Sequence, residues 1–135
     1  MKVSPQQLLP SQGFLKPNTV AFILDCIRNG ELDQLPPTPI VRRGLGDDLI
    51  AIDGHNLIAV MLHQDEDIEV HLAESADDGL PPTSGANIQR NKDLKDKFES
   101  ALAERERLQA EEVDTFQDLM NRYSDLFKDQ GNALQ

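Results

Sequence analysis

The chain has 135 residues, 39% of them hydrophobic, and its 13 basic and 24 acidic side chains give a formal net charge of −11. This length supports one domain with an appendage, and a surface this acidic disfavours nucleic acid as a partner without excluding it. No apolar run is long enough to predict a membrane span. Cys26 is the single cysteine and the N-terminus lacks the apolar core of a signal peptide, so a cytoplasmic protein is predicted.

The first helix is predicted to begin near Pro17, where proline's missing N–H costs nothing, and to end at Asn29-Gly30. Its apolar residues follow the spacing of one buried helix face, and these are Val20, Ile23, Leu24 and Ile27. We expect Cys26 to be a buried structural thiol in this helix, because its neighbours are apolar.

Two strands are predicted next, at residues 40–42 and 49–52, joined by the turn-forming residues 44–48. A hairpin is the natural pairing for them. The sequence 53–56 (Asp-Gly-His-Asn) then leads into a short apolar helix, and residues 68–72 alternate as a half-exposed strand. The order helix, strand, strand, helix, strand predicts a small α+β domain over residues 1–79.

Residues 80–87 are predicted to be a Pro/Gly linker, and residues 88–130 a helical segment that serves packing or oligomerisation. Apolar residues in that segment recur at spacings of three and four, but Arg105 and Glu112 interrupt the stripe. Either the helix breaks near Glu111-Glu112 and folds back, or it packs against another chain. We predict a homo-oligomer formed through this segment, with the fold-back monomer as the alternative.

The candidate ligand site is the turn formed by Asp53, Gly54, His55 and Asn56. A strand that leads directly into a helix leaves free N–H groups at the helix N-terminus, where an anion is favoured. Gly54 would let a ligand approach the backbone, and the His55 and Asn56 side chains would add donors. The alternative is structural: Asp53 caps the helix, Gly54 makes the bend and His55 is a surface residue.

The order Pro-Ile-Val-Arg (39–42), hairpin, Ile-Asp-Gly-His (52–55) and Ala59 resembles the core of the ParB/sulfiredoxin-like superfamily, or ParB-like nuclease domain. The opening Leu-Leu-Pro-Ser-Gln (8–12) also fits that family, and the resemblance covers residues 6–75. It implies a fold whose strand-to-helix turn binds nucleotide phosphates, with CTP or ATP and magnesium as candidate cofactors.

The motif is degenerate, because Asn56 replaces a second histidine and Leu57 replaces the arginine that contacts phosphate in the family. The arginine guanidinium is the strongest phosphate ligand in that pattern. Cys26 lies outside the motif, which excludes sulfiredoxin chemistry. Among the other cations, Lys16, Arg28, Arg42 and Arg43 could replace the missing arginine if they cluster at the turn; we expect them to be strand-edge charges instead.

No metal site is predicted, since His55, His63 and His71 lack the spacing of metal ligands. The resemblance to the family, together with the replaced motif residues Asn56 and Leu57, favours a non-catalytic interaction or regulatory module with a residual anion- or nucleotide-binding turn. A nucleotide-dependent phosphotransferase or nuclease using Asp53 and His55 is the alternative. A DNA-binding partition-like protein is the second alternative, disfavoured because no basic stripe is present.

Overall fold

The structure is a computed structural model that describes residues 1–79 and 85–127. It is an α+β structure, as predicted. Of the predicted linker 80–87, residues 80–84 lie outside the described residues, whereas residues 85–87 already belong to a helix. Residues 128–130, the end of the predicted helical segment, also lie outside them.

The strands within residues 1–79 and 85–127 are short and form two sheets. The strands are β1 (Lys2–Val3), β2 (Leu8–Leu9), β3 (Ile40–Arg43), β4 (Leu49–Asp53), β5 (Ile68–Glu69) and β6 (His71–Leu72). The larger sheet has the order β2-β4-β3-β6, and β1 pairs only with β5. The predicted hairpin is confirmed, because β3 and β4 are antiparallel neighbours at the centre of the larger sheet. The outer strands β2 and β6 both run parallel to their central neighbours.

The helices of the described residues flank this sheet. They are α1 (Pro17–Arg28), α2 (His55–His63), α3 (Gly85–Ala110) and α4 (Phe116–Asn121), with single 3₁₀ turns at Pro5–Gln7 and Leu32–Gln34. The first helix begins at Pro17 as predicted, and Gly30 follows it in the left-handed conformation. Its predicted face is buried at Val20, Ile23 and Leu24, and Cys26 is buried as expected.

Alternation along the central strands produces two cores, because successive side chains point to opposite faces of a sheet. Val41 and Ala51 belong to a first core shared with α1, α2 and α4. Ile40, Ile50 and Ile52 belong to a second core, which Leu94 and Ala101 of α3 cover. The sheet is therefore sandwiched between helices, and its central strands are apolar on both faces.

The prediction of a single strand at 68–72 is wrong, because the residues on either side of Val70 belong to two different sheets. Residues before it pair with β1, and residues after it pair with β3. The buried Val70 donates its N–H to the carbonyl oxygen of Met1 at 2.8 Å. Alternation alone indicates an extended chain and carries no information about which partner each part will have.

The distal segment breaks and folds back, which is the alternative foreseen for Glu111-Glu112. Helix α3 ends at Ala110, Glu112 adopts a left-handed φ of 66°, and Thr115 begins α4 with a reciprocal capping box to Asp118. Most of the apolar residues beyond the break are buried in the first core, namely Val113, Phe116, Leu119, Met120 and Phe127, and Tyr123 and Leu126 are partly buried against it. Much of the stripe that suggested a partner chain is thus covered by this chain.

Arg105, one of the two residues that interrupt the stripe, stabilises this reversal. Its side chain is only 7% exposed, forms an ion pair with Asp114 and donates to the carbonyl oxygens of Asp114 and Pro10. A buried guanidinium is tolerated only when its donors are used in this way. Arg105, which interrupts the apolar stripe, therefore connects the end of α3 to the turn after β2.

We expect Phe116→Ala to destabilise the protein by about 3–5 kcal/mol, because Phe116 is 1% exposed and joins α4 to the first core. The matched control is Phe22→Ala, since Phe22 is 49% exposed, and it should cost less than about 1 kcal/mol. Urea unfolding followed by circular dichroism measures both. Equal midpoints for the two variants would contradict the packing of α4 described here.

Candidate functional site

The predicted turn lies where β4 leads into α2. Gly54 is the N-cap residue of α2, with a left-handed φ of 90° and no side chain to cap the first turn. A Cβ on Gly54 would come within 2.6 Å of the Pro39 Cβ. Glycine is thus needed here for its backbone conformation and for the close contact with Pro39.

Asp53 does not cap α2. Its carboxylate binds two cations of α3, with Arg90 Nε at 2.5 Å and Lys97 Nζ at 3.7 Å. Burial acts to raise the pKa of Asp53, but the hydrogen bond and charge of Arg90, assisted by Lys97 and the Gly54 N–H, outweigh burial and lower that pKa. Asp53 is therefore an ionised counter-ion for α3.

The alternative that His55 is an ordinary surface residue is wrong. His55 is 3% exposed, and its Nε2 accepts the Ser11 N–H at 3.0 Å. Its ring lies 5.5 Å from that of Phe116. Burial lowers the pKa of His55 to about 4, with Asp53 opposing that shift and Lys97 adding to it. The imidazole is therefore neutral near pH 7, and its proton is on Nδ1 because Nε2 accepts a hydrogen bond.

Asn56 connects the starts of two helices. Its Oδ1 accepts the Lys16 N–H at 2.8 Å, and Lys16 is the N-cap residue of α1. Leu57, at the position of the family's arginine, is buried in the first core. The four predicted residues thus do meet at one place, but three of their side chains are used to hold the fold together.

A cavity of about 250 Å³, which we call the α2 cavity, opens at this turn. It is lined by all four predicted residues together with Gln12, Lys16, Thr19, Pro36, Pro37, Leu57, Arg90 and Lys97. Three cations, Lys16, Arg90 and Lys97, therefore surround the first turn of α2. Ile58 donates the first intrahelical hydrogen bond, to Gly54. The N–H groups of the preceding turn have no partner within the helix.

Arg90 of α3 places a guanidinium beside the predicted turn. Its Nε binds Asp53, and its Nη2 donates to the Thr38 carbonyl oxygen at 2.6 Å. Its Nη1 is buried and has no hydrogen-bond partner among the residues that the structure describes. One end of this guanidinium therefore has no hydrogen bond to the described residues, and Arg90 is among the residues that line the α2 cavity.

Only one of the four cations considered from the sequence, Lys16, lines the α2 cavity. Arg42 donates to the Phe98 carbonyl oxygen at 2.7 Å, Arg43 pairs with Glu74, and Arg28 pairs with Asp25. Sequence reasoning missed Arg90 and Lys97. Both lie within one turn of the buried Leu94, a spacing that puts all three on the helix face toward the sheet.

Two other cavities lack such a set of cations. The cavity between α1 and residues 125–126 has Arg28 beside Asp25 and Asp125, and the cavity between α2 and α4 has only His63. A cavity of about 190 Å³ adjoins the α2 cavity and shares Gln12, His55 and Lys97 with it. Within residues 1–79 and 85–127, no three histidine, cysteine or acidic side chains form a metal-binding group.

Comparison with protein-family models, with curated proteins and with solved structures finds no match to this chain. The resemblance to the ParB/sulfiredoxin-like superfamily thus stays a prediction from the motif. No helix in the described part of the chain has the length and apolar character needed to cross a membrane.

The buried neutral His55 predicts a stability loss in weak acid. Its pKa is lowered to about 4 in the folded protein, so between pH 6.5 and 4 the unfolded chain binds more protons and stability falls as the pH falls. From pH 7.5 to pH 5 this should cost about 2 kcal/mol, measured by urea unfolding. His55→Gln should flatten that dependence.

The control for this measurement is His63→Gln. Burial also lowers the pKa of His63, but this side chain is more exposed than that of His55. That variant should keep most of the loss between pH 7.5 and pH 5. A His55→Gln protein with the wild-type pH dependence would contradict the neutral, buried state of His55.

Proposed function

We propose that this protein binds a phosphate-bearing anion in the α2 cavity and acts as a non-catalytic interaction or regulatory module. The observation that carries the proposal is the clustering of Lys16, Arg90 and Lys97 around the uncapped start of α2, in a chain of net charge −11. Cations are scarce in this protein, and three of its 13 line one cavity.

The chemistry of the cavity suits an anion. The N-terminal N–H groups of a helix and its dipole favour negative charge, and lysine and arginine add charge-assisted donors. Asp53 is the acidic residue of the lining, and His55 is neutral, so positive charge exceeds negative charge by two. The helix has nine residues, long enough for its dipole to act at this end.

The resemblance to the ParB/sulfiredoxin-like superfamily suggests which phosphate-bearing ligand would bind, namely a nucleoside triphosphate such as ATP or CTP. The α2 cavity alone is small, but together with the adjoining cavity it offers the volume of an ordinary small-molecule site. Since Asp53 is engaged by Arg90 and Lys97, a magnesium ion would be held by phosphate oxygens and water, as is common for this metal.

The side chains available for chemistry favour binding over turnover. Asp53 is neutralised by two cations, and His55 Nε2 is occupied by the Ser11 N–H. A phosphotransferase or nuclease based on these residues would need one of them to be released, because a general base must reach the proton that it abstracts.

A titration followed by ¹H–¹⁵N NMR tests the proposed site. Inorganic phosphate, ATP and CTP, each with and without magnesium, should shift the amide signals of residues 54–57 before all others. Lys97→Gln should weaken binding roughly threefold to tenfold, because one partly exposed cation is lost. The control is Lys95→Gln, an exposed lysine of α3 that does not line the α2 cavity.

Two results would contradict this function. One is the absence of any shift at millimolar ligand. The other is equal weakening by Lys97→Gln and Lys95→Gln, which would indicate attraction by overall charge rather than a site.

Homo-oligomerisation through residues 88–130 stays a prediction. Within the described part of α3, few large apolar side chains remain exposed for contact with a second chain. Ile88 and Leu102 remain 45% and 36% exposed and lie on one side of the helix. We expect sedimentation equilibrium at about 100 μM, above the micromolar range of weak specific complexes, to give a mass above 15.1 kDa. Ile88→Asp with Leu102→Asp should restore the monomer. A monomeric wild-type protein would contradict the prediction.

A further inference from the structure

We propose that Asp53 is an internal competitor of the bound anion and thereby sets the affinity of the α2 cavity. In the structure its carboxylate binds the two cations of α3 that an anion would also contact. This inference rests on the proposed anion site and adds the residue that tunes it.

The geometry of the carboxylate supports this role. Each of its oxygens is used by a different cation, Oδ2 by Arg90 and Oδ1 by Lys97. The Asp53 side chain is 22% exposed, so it is largely shielded from solvent yet still lines the α2 cavity. An anion placed among Lys16, Arg90 and Lys97 would therefore share two of its three cationic partners with Asp53.

The charge of Asp53 has two opposite consequences. It attracts Arg90 and Lys97 and so holds α3 against the sheet when no anion is bound. It also repels any anion that enters the cavity, at short range and with little screening by salt. Removal of the charge should loosen α3 in the free protein and strengthen anion binding.

A purely structural role gives the opposite prediction. If Asp53 only positioned Arg90 and Lys97, its loss would disorganise the cations, and anion binding would weaken or stay unchanged. The sign of the change in affinity therefore separates the two roles.

The test compares Asp53→Asn with the wild-type protein, using inorganic pyrophosphate as the probe at constant ionic strength. The dissociation constant is taken from the NMR shifts of residues 54–57. We expect Asp53→Asn to bind pyrophosphate about threefold to tenfold more tightly. Asp93→Asn makes the same change in net charge at an exposed position of α3 and should stay within about twofold of the wild type.

Amide hydrogen exchange gives a second readout on the same samples. Without pyrophosphate, the first turns of α3 should exchange faster in Asp53→Asn than in the wild type. Saturating pyrophosphate should restore their protection, because a ligand that contacts both α3 and the start of α2 stabilises the docked helix.

Asp53→Asn leaves the partly buried Arg90 without its carboxylate and could prevent folding, so a second pair of variants keeps the inference testable. Arg90→Gln and Asp53→Asn/Arg90→Gln both lack the Arg90 guanidinium, and they differ only in the charge at position 53. The double variant should bind pyrophosphate more tightly than Arg90→Gln alone.

The outcomes are distinguishable. If the wild type binds pyrophosphate at residues 54–57 but removal of the Asp53 charge gives no tighter binding in either background, the inference is overturned and the anion site stands. If neither wild type nor variants bind pyrophosphate, the anion site is overturned and the inference falls with it.

Discussion

The contact of Asp53 with Arg90 and Lys97 joins the end of the central hairpin to helix α3. It lies at the margin of the second core, where Leu94 and Ala101 cover the far face of the sheet. Two of the three cations of the α2 cavity belong to this same contact. One carboxylate thus contributes both to the attachment of α3 and to the electrostatics of the cavity.

Local patterns predicted the elements whose partners are close in sequence. The β3–β4 hairpin and helices α1 and α2 follow from turn residues and apolar spacing, which act over a few positions. The division at Val70 did not follow, because it depends on Met1 and on β3, which are far away in the chain. The fold-back at Glu112 was foreseen only as an alternative, since an apolar stripe does not reveal whether its partner is the same chain.

The sequence predicted the turn from β4 into α2, but the contacts of its residues were not predictable from the motif. His55 owes its burial and neutral state to surroundings that include Ser11 and Phe116, which lie 44 residues before it and far beyond it in sequence. Arg90 reaches Asp53 across 37 residues. A motif identifies the turn because the turn is local. The charges around that turn come from a helix whose docking only the three-dimensional structure shows.

Helix α3 has a place in both cores, with Leu94 and Ala101 in the second and Leu108 in the first. Because α3 packs into both cores, it cannot detach from one core without weakening the other. Local unfolding of α3 would therefore expose apolar surface on both faces of the sheet, whereas local unfolding in many proteins affects one element on one face. The described residues are therefore expected to melt in one cooperative transition rather than layer by layer.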